Sequence, residues 1–297
     1  MKRFQLFTAV GLVAAALLTF LIFKSPSLTS VSSDAGNEAS ARKANVAQNA
    51  RVGGSSITQQ SATWASKPSD EIYRNFHETK GRAEAGDAVA QRQLAQIYER
   101  CAMYSLSPQK FAGTLDSFSE LKKENSDRYK QIKDRTSHYC SQVDGGEVIP
   151  LDAIELWYSE AAKRGDLIAR LKIASGKAMS SDEYRDLIAK AIQSKDAEAI
   201  FSVDEVLSNP AASIELGSSA PGGSGNYSEY AWALAGCRMG ADCGPGSYRL
   251  DMACISYGVC NSSSYEDLVR KNLVPPGQLK ALDKEIERIR SLIDAEK

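Results

Sequence analysis

Four stretches of the chain repeat one local device: helix-forming residues, a tight turn, and helix-forming residues again. The first, GRAEAGDAVAQRQLAQIYERC, turns at Gly86-Asp87, and the second, AIELWYSEAAKRGDLIARLKIA, at Gly165-Asp166. In the third, YRDLIAKAIQSKDAEAIFSVDEVL, Lys195-Asp196 holds the place; the fourth, YAWALAGCRMGADCGPGSYRLDMAC, turns at Gly240. Glycine supplies the left-handed position that ends a helix, and aspartate caps the next one. Three residues before the turns stand Ala83, Ala162, Ile192 and Cys237, and eight before stand Trp157, Leu187 and Trp232, with Glu78 in the first. After the aspartates, Ala90, Leu94 and Ile97/Tyr98 recur as Ala199, Val203 and Val206/Leu207, and in part as Ala169 and Ile173. Such offsets put small and bulky apolar groups on one face of each helix, as paired helices require. An all-α chain of helical hairpins is therefore expected.

AEAGDAVAQRQLAQIY and YSEAAKRGDLIARLKIA resemble Sel1-like repeats, the bacterial relatives of tetratricopeptide repeats, whose pattern is Ala-Ala-x-x-Gly-Asp-x-x-Ala-x-x-x-Leu-x-x-x-Tyr. The resemblance covers about half the chain and implies an α/α solenoid used as a protein-binding scaffold, often exported; it supplies no catalytic residue. The array is irregular, because the turns are 79, 30 and 45 residues apart. An insertion from about 102 to 149 fills the first gap, and the Gly-, Ser- and Pro-rich AASIELGSSAPGGSGNYS reads as a loop before the fourth hairpin. Near the end, SYEDLVRKNL reads as a short helix before Pro275-Pro276. Leu279, Leu282, Ile286, Ile289 and Ile293 then form one apolar stripe, as in a helix capping the array, so residues 264–297 are assigned to capping helices.

The N-terminus sets the address. Lys2-Arg3 precedes an uncharged run from Phe4 to Phe23, twenty residues, which at helical rise span about 30 Å, the thickness of a bilayer core. The positive flank keeps the N-terminus in the cytoplasm and exports the rest. Residues 1–24 are thus a signal-anchor, or a signal peptide that is cleaved; the nearest small-x-small site is Ala39-Ser40-Ala41. Residues 25–68 are Ser-, Ala-, Asn- and Gln-rich without a period and read as a disordered tether. Trp64, its one large aromatic, is either docked on the domain or an anchor for a partner. The helical-repeat domain is placed at 69–297. With the resemblance, the expected location is the bacterial inner membrane with the domain in the periplasm, or the periplasm or medium after cleavage.

Six cysteines, Cys101, Cys140, Cys237, Cys243, Cys254 and Cys260, all follow the membrane segment, which in an oxidising compartment suggests three disulfides. Cys101 and Cys140 stand apart from the other four and are expected to close the insertion. Cys237 with Cys243 and Cys254 with Cys260 are the favoured local pairs, with crossed pairs as the alternative. Their Cys-x₅-Cys spacing is wide for zinc. Two histidines, His77 and His138, exclude a multi-histidine metal site, and no phosphate loop, dinucleotide fingerprint or zinc-protease motif occurs. No metal, cofactor or catalytic residue is assigned.

A net charge of −1 argues against nucleic-acid coating. The expected function is a membrane-tethered, non-enzymatic scaffold for a protein or peptide partner, with Tyr158 and Tyr230 as candidate exposed contacts and core packing as the alternative for both. Two other functions are weighed. One is an envelope (cell-wall) enzyme with its site in the 102–149 insertion, using His138 or the insertion carboxylates. The other is an accessory subunit of a membrane complex whose apolar segment packs through Gly11 and Ala14–Ala16.

Overall fold

Each turn stops one helix and starts the next by the chemistry of its two residues. Gly86, Gly165 and Gly240 have φ of 91°, 92° and 112°, and Lys195 adopts the same left-handed region at 51°. The aspartates then accept the first free amides: Asp87 Oδ1 from Ala90 at 3.0 Å, Asp166 Oδ1 from Ala169 at 2.8 Å, Asp196 Oδ1 from Ala199 at 2.9 Å. A computed structural model describes residues 63–209, 211 and 227–295. The apolar run Phe4–Phe23, the tether up to residue 62 and most of the Gly/Ser-rich loop, 212–226, lie outside the described residues. Among the described residues all regular structure is helical, and no helix is long and apolar enough to cross a membrane.

Three hairpins follow from these turns: α1 (Ser69–Glu84) with α2 (Ala88–Leu106), α5 (Leu151–Lys163) with α6 (Leu167–Ser175), and α7 (Ser181–Ser194) with α8 (Ala197–Leu207). Helix α2 packs on α5, and α6 on α8, so the hairpins are joined through their neighbours. The repeated offsets face inward: Ala83, Ala90, Leu94, Ala169, Leu187, Ala199, Val203 and Trp232 are at most 1% exposed.

The insertion begins later than the sequence suggests. Helix α2 runs on to Leu106, because Cys101 and Ala102 continue its buried face, and Ser107-Pro108 then caps the next helix. The insertion proper is a hairpin of α3 (Pro108–Leu121) and α4 (Ser126–Cys140). The fourth window departs further. Its first helix, α9 (Ser228–Met239), packs on α8, while its second, α10 (Tyr248–Tyr257), packs on α4 instead of folding back along α9. Between them stands the loop of residues 240–247, tied by Cys243 to Cys237 at the end of α9. The end helices are α11 (Tyr265–Leu268), followed by a π-helical turn Val269–Leu273, and α12 (Leu279–Ala295). Leu282, Ile286, Ile289 and Ile293 of α12 are buried against α9 and α7.

Helices α8 and α9 cross almost backbone to backbone. A Cβ at Gly236 would stand 2.7 Å from Phe201 N and 2.8 Å from Ala197 O, atoms that cannot rotate away. Gly236→Ala is expected to lower stability by about 2–3 kcal/mol in urea unfolding. An unchanged midpoint would mean that the crossing opens freely.

Candidate functional site

The second helices of the three turn-built hairpins line a common cleft of about 660 Å³. Counting from each capping aspartate, the sixth residue is Gln93, Lys172 or Ser202, and all three line it. The ninth position adds Gln96 and Glu205, and the second adds Ile168 and Glu198. Most of these positions lie off the buried stripe, with Ser202 at 6% exposed the exception, so the less packed face becomes the floor of the groove. Tyr139 from α4, Tyr248, Arg249 and Met252 from α10, Asp242 from the 240–247 loop, Trp64, and Ile72, Asn75, Phe76 and Thr79 from α1 also line it.

Charge in the cleft is dense and mostly paired. Arg92 holds Asp166 at 2.9 Å, Lys172 bridges Glu99 at 3.0 Å and Glu205 at 3.1 Å, and Arg249 holds Glu198 at 2.6 Å. Burial alone pushes Glu198 up and Lys172 down, but Arg249 outweighs it for the first and Glu205 and Glu99 for the second, so both are held in their charged forms. Asp242 differs: burial raises its carboxyl above the ordinary range, and its Oδ1 is buried without a hydrogen-bond partner. Arg249 also stacks over Phe201, 3.7 Å from the ring centre, and donates to the Asp242 carbonyl at 2.8 Å.

Tyr158 and Tyr230 are not brought together. Tyr158 is 5% exposed in the cleft wall, and its hydroxyl donates to Glu99 at 2.7 Å, so its buried ring is part of the floor. Tyr230 is half-buried against the main core, beside Tyr227, and does not line the cleft. His138 is exposed and its Nε2–H donates to the Lys67 carbonyl at 2.9 Å; of the 102–149 insertion only Tyr139 reaches the cleft. The six cysteines form Cys101–Cys140, Cys237–Cys243 and Cys254–Cys260. Among the described residues no three His, Cys, Asp or Glu side chains are grouped to hold a metal ion.

The stretch assigned to the tether is ordered at its end. Residues Thr63–Ala65 form a helical turn whose Trp64 meets Tyr139 edge-to-face at 4.8 Å and carries Arg100 at 4.5 Å over its ring. These contacts give a short polar segment the apolar burial it otherwise lacks. The sequence reading missed Arg100, Glu99, Lys172, Glu198, Asp242 and Arg249. The usable signal was a polar stripe at constant offset from the aspartates, visible only once the turns are aligned.

One acid next to the cleft is buried deeply. Asp204 of α8 is held well above its ordinary value by burial, then by Glu205 and Glu229, against Arg249 and the Ser208 hydroxyl. A carboxyl raised on folding contributes stability that is complete below its unfolded value and lost as pH rises through the folded one. Asp204→Asn is therefore expected to gain stability relative to wild type on going from pH 4 to pH 7, measured by urea unfolding at both. An equal effect at the two pH values would remove Asp204 as the source.

No protein-family model, curated protein or solved structure matches the chain.

Proposed function

We propose that the chain is a Sel1-like helical-repeat scaffold whose cleft holds an extended segment of a partner protein. The membrane-tethered, periplasm-facing placement read from Phe4–Phe23 belongs to the same proposal, as does the absence of catalysis. The observation that carries the reading is the cleft itself. Its floor is assembled from equivalent positions of the second helices of three hairpins, α2, α6 and α8, so it presents a run of similar polar sites, the arrangement that suits a peptide. The internal pairing of Arg92, Lys172 and Arg249 favours a rigid, preformed floor.

The test is site-specific photocrosslinking of the full chain in its native envelope. A photoreactive residue at Gln96 or Ser202 is expected to capture one reproducible partner, and the same residue at exposed Glu120 of α3 to capture none. Equal capture at both places, or none in the cleft, would sink the scaffold reading. Loss of the captured partner on reduction would tie the groove to the disulfide-stapled form.

A further inference from the structure

Resting on the groove reading, we propose that the Arg100 end of the cleft is a docking pocket for a partner's tryptophan side chain, and that Trp64 occupies it in the free protein. Among the described residues Arg100 is the exception in the cleft. Arg92, Lys172, Arg249 and Lys67 each hold a carboxylate, whereas Arg100 has none in ion-pair reach. Its guanidinium stands instead among three aromatic rings, with centres at 4.5 Å for Trp64, 5.8 Å for Tyr139 and 5.9 Å for Tyr248. Its Nε is buried without a hydrogen-bond partner. A half-buried cation with no carboxylate paired to it is stabilised by ring faces, and tryptophan offers the strongest of them.

The four features of the pocket match an indole. Arg100 covers the face, Tyr139 meets it edge-to-face, Tyr248 stands 5.9 Å from the cation, and the Gly246 carbonyl accepts the indole N–H at 3.4 Å. A phenyl ring would leave that carbonyl without its donor. The current occupant is lightly held, because the N–H contact is long and the ring only half-buried, although His138 fastens the Lys67 carbonyl just after it and keeps the segment close to the site. All other contacts of the pocket survive if Trp64 leaves, because Arg100, Tyr139 and Gly246 belong to α2, α4 and a disulfide-flanked loop. Trp64 is thus an internal competitor. An occupant filling the site nine-tenths of the time weakens an external ligand about tenfold.

The probe is N-acetyl-L-tryptophanamide, titrated calorimetrically into the full chain, with N-acetyl-L-leucinamide as control. Trp64→Ala is expected to bind the tryptophan probe at least tenfold more tightly than wild type, Trp64→Ala with Arg100→Gln to lose that gain, and the leucine probe to bind neither. Equal affinity in wild type and Trp64→Ala, equal binding of both probes, or indifference to Arg100→Gln would each overturn the pocket. A measurement without substitution guards against misfolding. The chain has three tryptophans, so 5-fluorotryptophan labelling gives three ¹⁹F signals. Excess probe is expected to move the Trp64 signal alone, leaving Trp157 and Trp232 in place; no movement, or movement of all three, counts against displacement. Probe binding through Arg100 without crosslinks at Gln96 and Ser202 would keep the pocket and overturn the peptide groove, while the reverse would overturn the pocket alone.

Discussion

Replacing Cys101 and Cys140 together by alanine is expected to lower the free energy of unfolding by about 4 kcal/mol. The disulfide joins α2 to the end of α4 across 39 residues, and closing a loop of that length removes about this much chain entropy from the unfolded state. Both half-cystines are buried, at 0% and 2% exposed, beside Phe76, Leu94, Tyr98 and Val143, so the alanines also leave unfilled space in that core. The local Cys237–Cys243 and Cys254–Cys260 pairs close loops of only six residues and contribute less, about 2 kcal/mol each in the same model. Urea unfolding measures the loss. Hydrogen exchange gives its location: amides of α3 and α4 are expected to lose protection first, because the disulfide is what returns that hairpin to α2. Equal stability of the double variant, with unchanged exchange in α3 and α4, would mean that packing alone holds the insertion.

Where sequence and structure agree, the agreement is local. A left-handed glycine followed by a capping aspartate needs only its own neighbours, so Gly86-Asp87 and Gly165-Asp166 were readable, and Lys195-Asp196 followed by alignment despite its non-glycine φ of 51°. The stripe of α12 was readable for the same reason: its period is set within one helix, and Leu282, Ile286, Ile289 and Ile293 are all at most 5% exposed. The cysteine spacing favoured the pairing that the structure adopts, since six residues around a helix end hold few other partners. What depends on tertiary placement was not readable. Nothing in GADCGPGSYRLDMAC says that α10 leaves α9 for α4. Because α10 leaves, Tyr248 and Arg249 face α2 and α8, and the cleft gains its second wall. Arg100 is likewise an ordinary surface arginine in sequence; three aromatics from separate segments make it something else.

Asp251 is what fixes that second wall, and its loss is expected to cost about 3–5 kcal/mol. Its carboxylate, in a residue 4% exposed, takes Arg135 at 2.6 Å through Nη2 and at 3.1 Å through Nε, and Arg128 at 3.0 Å. Burial pushes this carboxyl up while the two guanidiniums pull it down. Asp251→Ala leaves two guanidiniums of α4 facing each other with no anion between them, and Arg128 Nε already lacks a hydrogen-bond partner. Breaking such a cluster from one side costs far more than the intact cluster contributes, because the residual charges stay desolvated. Asp251→Leu combined with Arg128→Met and Arg135→Met removes the charges together and is expected to recover most of the loss. The two variants separate charge from packing: if the triple replacement is as unstable as Asp251→Ala, the α4–α10 contact depends on shape and not on the ion cluster. The consequence for the cleft is directional. Helix α10 carries Tyr248, Arg249 and Met252, and α4 carries Tyr139, so loosening their junction widens the Arg100 end while leaving Gln96, Lys172 and Ser202 on their own helices. In Asp251→Ala, photocrosslinking from Ser202 should therefore persist when N-acetyl-L-tryptophanamide no longer binds in the Trp64→Ala background.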